Sequence, residues 1–89
     1  MKTGSFTLNR GKTTNLTLGA GFLFLKNEGM EYEGFYNIPY WFSNISCLGG
    51  YLENAINITK NPSSMTVSFV IKDSYTNSDS IPLQYFFIG

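Results

Sequence analysis

The stretch Ser64 to Lys72 reads SMTVSFVIK and predicts a β-strand with one buried face. Apolar side chains recur there at a spacing of two, at Met65, Val67, Phe69 and Ile71. The positions between them are polar apart from Val70, which is the pattern of a strand that covers a core on one side. β-Branched and aromatic residues fill the stretch, and turn-forming residues border it at both ends. The chain is therefore expected to build its core on β-strands.

Strand patterns continue outward from this stretch in both directions. They cover residues 5–8, 13–18, 22–26, 30–38, 45–48, 51–60 and 81–88, and turn residues separate them. Residues 51–60 also show a weak helical spacing, but the alternation of Ile56 and Ile58 favours a strand. About eight short strands predict an all-β fold, a small antiparallel β-sandwich that is jelly-roll-like. Residues 1–4 are expected to be a leader or linker, and residues 5–89 a single domain.

Two of these segments are apolar on both faces. Residues 22–26 read FLFLK, which predicts a strand that is covered on two sides. Residues 81–88 read IPLQYFFI, and a strand of this kind is expected to be sandwiched within its own domain or buried against another subunit. Because an 89-residue chain buries a modest share of its surface, association would add stability.

The charge of the chain is low and balanced. Six basic residues stand against six acidic ones, and only 13% of the residues are charged. Such a chain has no source of long-range attraction to nucleic acid or to an anionic membrane surface, so neither partner is expected. No apolar run approaches the length of a membrane span, so membrane insertion is not expected either. The single cysteine, Cys47, is predicted to be a buried and inert thiol.

Residues suited to catalysis are scarce. The chain has no histidine, which removes the commonest general base and metal ligand. Gly11, Lys12 and Thr13 look like the end of a phosphate-binding loop, but Phe6 stands where that loop requires a glycine. The Asp and Asn side chains of residues 73–80 are better explained as a polar loop than as a calcium site. We therefore expect no enzymatic activity, no catalytic residue, no metal and no cofactor.

The aromatic run Tyr40-Trp41-Phe42 is the best candidate for ligand binding. Exposed aromatic rings stack on the apolar face of a sugar, and nearby amides can bind its hydroxyl groups. The candidate ligand-binding residues are Trp41, Tyr40, Tyr36, Tyr51, Asn37 and Asn44. Packing is the alternative, with Trp41 capping the core and its neighbours lying between strands or subunits. The usual burial of large aromatic residues in small domains favours packing.

The order of strand and turn positions resembles that of a known family. The residues that carry it are Phe6-Thr7-Leu8, Gly11-Lys12, Leu16 and Leu18, Gly34, Tyr36 and Ile38, Ile56, Ile58 and Thr59, Val67, and Tyr85-Phe86-Phe87-Ile88. This order is similar to that of the small C-terminal β-sandwich domains of bacteriophage tail-fibre and receptor-binding proteins. The resemblance implies a non-enzymatic homotrimer at an extracellular tail-fibre tip of the virion, which recognises a host cell-surface saccharide or protein.

Two other functions fit the same sequence features. In the first, the domain is a structural assembly or trimerisation module of a virion or particle, and the aromatic residues and the last strand form its interface. In the second, it is a small inhibitor protein that binds one host target and stays monomeric.

Overall fold

The chain forms eight β-strands and one short 3₁₀ helix across residues 1–28, 32–40, 44–61 and 63–89, which the computed structural model describes. The elements are β1 (Lys2–Asn9), β2 (Thr14–Thr17), β3 (Gly21–Asn27), β4 (Glu33–Ile38), β5 (Ser46–Gly49), the 3₁₀ helix (Leu52–Asn54), β6 (Ile56–Asn61), β7 (Thr66–Ile71) and β8 (Ser80–Ile88). All paired strands run antiparallel. The prediction of an all-β chain with about eight short strands is confirmed.

The strands form two antiparallel sheets, consistent with a small β-sandwich. The larger sheet has the order β1-β8-β3-β4-β5, and the smaller one has the order β2-β7-β6. The first strand therefore pairs with the last, and the second pairs with the one before it. Nested pairing of this kind is typical of jelly rolls, in which strands distant in sequence lie side by side. Here β4 and β5 extend the larger sheet instead of the smaller one.

The strand from which the fold was predicted lies in the middle of the smaller sheet and fills the core. Val67, Phe69 and Ile71 of β7 are each 2% exposed or less. Inward-facing residues of the larger sheet oppose them, chiefly Leu8, Leu23, Leu25, Ile38, Leu83 and Phe87. Full burial of one such side chain contributes about 1.5–3 kcal/mol, so this double layer is the main source of stability.

The first strand is longer than the sequence pattern predicts. It begins at Lys2 instead of Ser5, and residues 2–4 pair with Phe87, Phe86 and Tyr85 of β8. Gly4 makes this possible, because a Cβ atom there would lie 2.7 Å from the ring of Tyr85. Residues 2–4, expected in a leader or linker, are thus part of the larger sheet.

The central strand begins one residue later than its alternation indicates. Met65 was expected as its first inward residue, but it lies in the preceding turn with a φ of 57°. The side chain of Asn61 accepts hydrogen bonds from the backbone N–H (3.1 Å) and the hydroxyl (2.7 Å) of Ser63. These contacts hold Ser63 against the end of β6, before β7 begins at Thr66.

Residues 51–60 contain the short helix as well as a strand. Leu52 is fully buried, and the N–H of Ala55 donates to its carbonyl at 2.9 Å. The preference for a strand is confirmed from Ile56 onward, where β6 pairs with β7. Lys60, near the end of β6, is 3% exposed, and its Nζ donates to the carbonyl of Pro39 at 2.6 Å. This contact joins the smaller sheet to the end of β4.

One face of the larger sheet stays open within the chain. Leu23 and Leu25 of β3 point into the core, whereas Phe22 is 58% exposed on the other side. Ile88 of β8, directly opposite Phe22 in the register, is 62% exposed. The prediction that residues 22–26 are covered on both sides is therefore wrong for the single chain, because no second layer lies on this face among the described residues.

Candidate functional site

The six predicted ligand-binding residues lie in different environments. Trp41 lies outside the described residues. Tyr36 belongs to the core, while Asn37, the next residue along β4, points to the opposite face of the sheet. Tyr40 is 55% exposed, Asn44 is exposed just before β5, and Tyr51 is 74% exposed just before the 3₁₀ helix. Of the five that the structure describes, Tyr51 is the one that lies in a pocket with both aromatic and amide side chains.

Tyr36 is a packing residue in this structure. It is 4% exposed, and its ring lies over Gly34, where a Cβ atom would come within 2.5 Å of the ring. Burial, with smaller contributions from Cys47 and Glu53, raises the pKa of its phenol well above the ordinary value. Its hydroxyl is buried and has no hydrogen-bond partner among the described residues. The expected role of Tyr36 in ligand binding is thus replaced by one in the core.

Cys47 of β5 lies opposite Tyr36 of β4 and is half-buried. Its Sγ donates to the carbonyl of Gly49 at 3.5 Å. Burial, with a smaller contribution from Glu53, raises the pKa of the thiol, which keeps it protonated at neutral pH. These features agree with the expectation of an inert, packing thiol, although the residue is less buried than predicted.

Tyr51 lines a recess that we call the tyrosine pocket. Its lining consists of Tyr32, Tyr51, Asn54, Ala55, Tyr75 and Asn77, and its volume is about 160 Å³. Tyr75 is 9% exposed and forms the floor with Ala55, whereas Tyr51, Asn54 and Asn77 are exposed at the rim. The volume is below the roughly 300–1,000 Å³ of typical small-molecule sites, so the pocket admits one ring of a ligand.

Three separate parts of the chain build the tyrosine pocket. Tyr32 precedes β4, Tyr51 and Asn54 belong to the helical turn, and Tyr75 and Asn77 belong to the loop between β7 and β8. The loop begins with a turn in which the N–H of Tyr75 donates to the carbonyl of Lys72 at 3.0 Å. The N–H of Lys72 in turn donates to Ala55 at 2.8 Å, which ties this loop to the helical turn.

Arg10 holds the rest of the loop in place. Its Nε donates to the carboxylate of Asp79 at 2.6 Å, and one of its Nη atoms donates to the carbonyls of Tyr75 and Ser78. A guanidinium is suited to this role because it presents several donors in one plane. Arg10 comes from the turn after β1, so a residue far away in sequence fixes the loop that carries Tyr75 and Asn77.

A second candidate site is the open side of the larger sheet, which we call the phenylalanine face. It consists of Phe22, Phe24, Phe35, Leu48, Phe86 and Ile88. Phe24 lies at its centre, with ring centroids 4.7 Å from Phe35 and 5.8 Å from Phe86. The six side chains, together with Leu23 and Tyr36 beneath them, line an apolar depression of about 230 Å³. Polar residues border the face, including Thr3 and Ser5 on β1 and Asn37 on β4.

No family model matches this chain, and no curated protein or solved structure is significantly similar to it. The resemblance to tail-fibre tips therefore rests on the sequence pattern. Across the described residues, no group of Cys, Asp and Glu side chains is arranged to hold a metal ion. In the same part of the chain, no helix has the length and apolar character needed to span a bilayer.

Sequence reasoning named Tyr51 as a binding residue but missed Tyr32, Asn54 and Asn77 of the tyrosine pocket. No spacing rule links these three residues to Tyr51. The phenylalanine face did leave a signal, since segments 22–26 and 81–88 are apolar at consecutive positions. That signal indicates a two-sided strand but does not show whether the chain itself supplies the second cover.

Proposed function

We propose that this chain is a non-enzymatic receptor-binding or adhesion domain that recognises a host cell-surface saccharide through the tyrosine pocket. The observation that carries the proposal is the position of Tyr51, an exposed aromatic ring beside two exposed amides. The resemblance to phage tail-fibre tips supports the same function and an extracellular location on a virion.

The pocket has the two kinds of group that bind a sugar. The ring of Tyr51 offers an aromatic face on which the C–H groups of a sugar can stack. Asn54 and Asn77 offer amide donors and acceptors at the rim for the sugar hydroxyl groups. Tyr75 and Ala55 close the floor of the pocket, so that one face of a bound sugar ring would be removed from water.

The size of the pocket indicates recognition of one sugar ring with low affinity. A shallow site of about 160 Å³ buries little ligand area, so we expect a dissociation constant of about 1 mM for one ring. Useful attachment to a cell would then require several copies binding together, since linked sites gain avidity of about 10²–10⁴-fold.

The test is a screen of bacterial surface polysaccharides and mammalian glycans on an array, followed by titration of each ligand that binds. We expect Tyr51→Ala to weaken binding by about tenfold or more, equivalent to ~1.4 kcal/mol. The matched control is Thr59→Ala, an exposed change on β6 outside the pocket, which should leave binding intact.

Three results would count against a saccharide. One is a blank array alongside a lectin that binds its own ligand, and another is equal binding by Tyr51→Ala. The third is attachment to cells that survives periodate oxidation of their glycans but is lost after protease treatment, which would assign the ligand to a surface protein.

The phenylalanine face favours a second candidate function, that of a structural assembly module of a virion or particle. Five of its six side chains are 38–62% exposed, and a contiguous apolar patch with a polar border often marks an interaction site. The face and the tyrosine pocket share no residue, so one domain can both assemble and bind.

A further inference from the structure

We infer that the phenylalanine face is the contact surface between copies of this chain. In the functional oligomer, the face of one copy is covered by the face of another. This inference gives the assembly function its partner, and it does not depend on whether the tyrosine pocket binds a saccharide.

The extent of the apolar surface is the first argument. Its exposed side chains present roughly 500 Å² of apolar area, since an aromatic side chain carries about 200 Å². This lies near the top of the range of about 300–600 Å² for the largest patch of a typical monomer. It is more than half of the ~800 Å² per partner of a standard protein interface, and the polar border residues would supply the remainder.

The arrangement of the surface is the second argument. The centre is wholly apolar and rich in phenylalanine, and the border consists of hydroxyl and amide residues with one ion-pair position, Lys26 opposite Glu33. Stable protein interfaces have this anatomy, with an aromatic core that is depleted of charge and a polar rim. The depression of about 230 Å³ among the rings offers a place for a protruding side chain of the other copy, such as Leu48 or Ile88.

The charge of the face is compatible with a second copy as the partner. Among the described residues of β3, β4 and β8, the outer face carries one cation, Lys26, and one anion, Glu33. They lie directly opposite each other in the register, so the face has no net charge. The whole chain is also neutral, so two copies meet without long-range repulsion. A surface without net charge has no electrostatic preference for a strongly acidic or basic partner.

The geometry of the sheet allows the contact without any rearrangement. The outer side chains of β3, β4 and β8 alternate with core residues, so they stand on one continuous surface. Two such surfaces pack face to face at about 10 Å, as the sheets of a sandwich do. Covering the open side in this way gives β3 and β8 the two-sided burial that their sequences predict.

Light scattering coupled to size-exclusion chromatography, at micromolar concentrations, tests the inference. Because each face covers one other face, we expect the wild-type chain to have twice the 10.0 kDa mass of one chain. Phe22→Lys places a charge on an exposed position at the margin of the face. Burial of this unpaired charge in an apolar contact should weaken association by at least about 30-fold and yield a monomer.

The matched control is Thr59→Lys, which adds the same charge to an exposed position on β6, in the other sheet. It should leave the oligomer unchanged. Leu48→Lys is the second variant, on a different strand of the face and 59% exposed, in case Phe22→Lys does not fold as judged by circular dichroism. Either folded variant should be monomeric.

Two results would overturn the inference. One is an oligomer that withstands both folded face variants, which would put its interface elsewhere. The other is a monomeric wild-type chain, and sedimentation of that monomer with phosphatidylcholine vesicles would assign the face to lipid. Saccharide binding by Tyr51 is measured in a separate experiment. If the chain binds no saccharide, the mass measurement still tests the contact between copies.

Discussion

At the scale of single residues, Tyr36 shows how position in the fold decides between binding and packing. Its sequence neighbourhood of aromatic residues is compatible with both roles. The structure places its ring over Gly34 and buries its hydroxyl without a partner among the described residues. A buried polar group without a hydrogen bond costs about 1–3 kcal/mol of stability. The hydroxyl of Tyr36 therefore destabilises the fold, whereas its ring stabilises the fold by packing.

The first prediction concerns removal of that hydroxyl. Tyr36→Phe keeps the ring over Gly34, and we expect the free energy of unfolding to stay equal or rise by up to about 1 kcal/mol. Saccharide binding should not change. Urea denaturation and glycan titration measure the two effects. A variant less stable by more than 1 kcal/mol would show that the hydroxyl has a bonding partner.

The raised pKa of the Tyr36 phenol also has a consequence for pH dependence. In the unfolded chain the phenol of Tyr36 ionises near its ordinary pKa of 10, whereas in the folded chain it stays neutral to higher pH. The unfolded state therefore binds fewer protons in this range, and stability falls as the pH rises above 10. Cys47, whose pKa is also raised, adds a loss that begins near 9. Tyr36→Phe should have a flatter stability profile above pH 10 than the wild type.

At the scale of elements, the loop between β7 and β8 shows how a distant residue prepares a site. The loop supplies Tyr75 and Asn77 to the tyrosine pocket, and Arg10 holds it through Asp79 and two carbonyl groups. Polar loops without such contacts are free to sample many conformations, which costs binding free energy when a ligand orders them. Arg10 is thus a positioning residue for the pocket.

The second prediction follows from these contacts. Arg10→Lys keeps the charge but loses the planar set of donors, so we expect a loss of about 1 kcal/mol in stability and faster hydrogen exchange across residues 73–79. Saccharide affinity should fall as well. Lys12→Ala, an exposed change in the same turn, is the control and should have no effect. Unchanged exchange in Arg10→Lys would mean that the loop does not depend on Arg10.

Strand positions could be predicted from the sequence because alternation and turn residues are local signals. The β7 stripe of Val67, Phe69 and Ile71 is the clearest case, since each position is buried as predicted. Tyr51 was predicted as a binding residue, but the rest of the tyrosine pocket was not, because strand order brings Tyr32 and Asn77 to it from distant parts of the chain. The open face of β3 was also missed. Apolar side chains on an outer face give the same sequence pattern whether the chain itself or a neighbouring molecule covers them.

At the scale of the whole molecule, the two candidate surfaces have separate tasks. We propose that the phenylalanine face joins copies of the chain and that each copy then presents one shallow tyrosine pocket. Because the interface is apolar, its strength should depend little on ionic strength. Several weak pockets in one particle would provide the attachment that a single pocket does not.

One comparison tests this account most directly: the binding of the wild type and of Phe22→Lys to the same glycan, both free in solution and displayed densely on a surface. We predict equal affinity for the free glycan and a loss of about 10²-fold on the surface for the monomeric variant, because it lacks avidity. Equal loss in both formats would contradict the account, since it would place the ligand on the phenylalanine face.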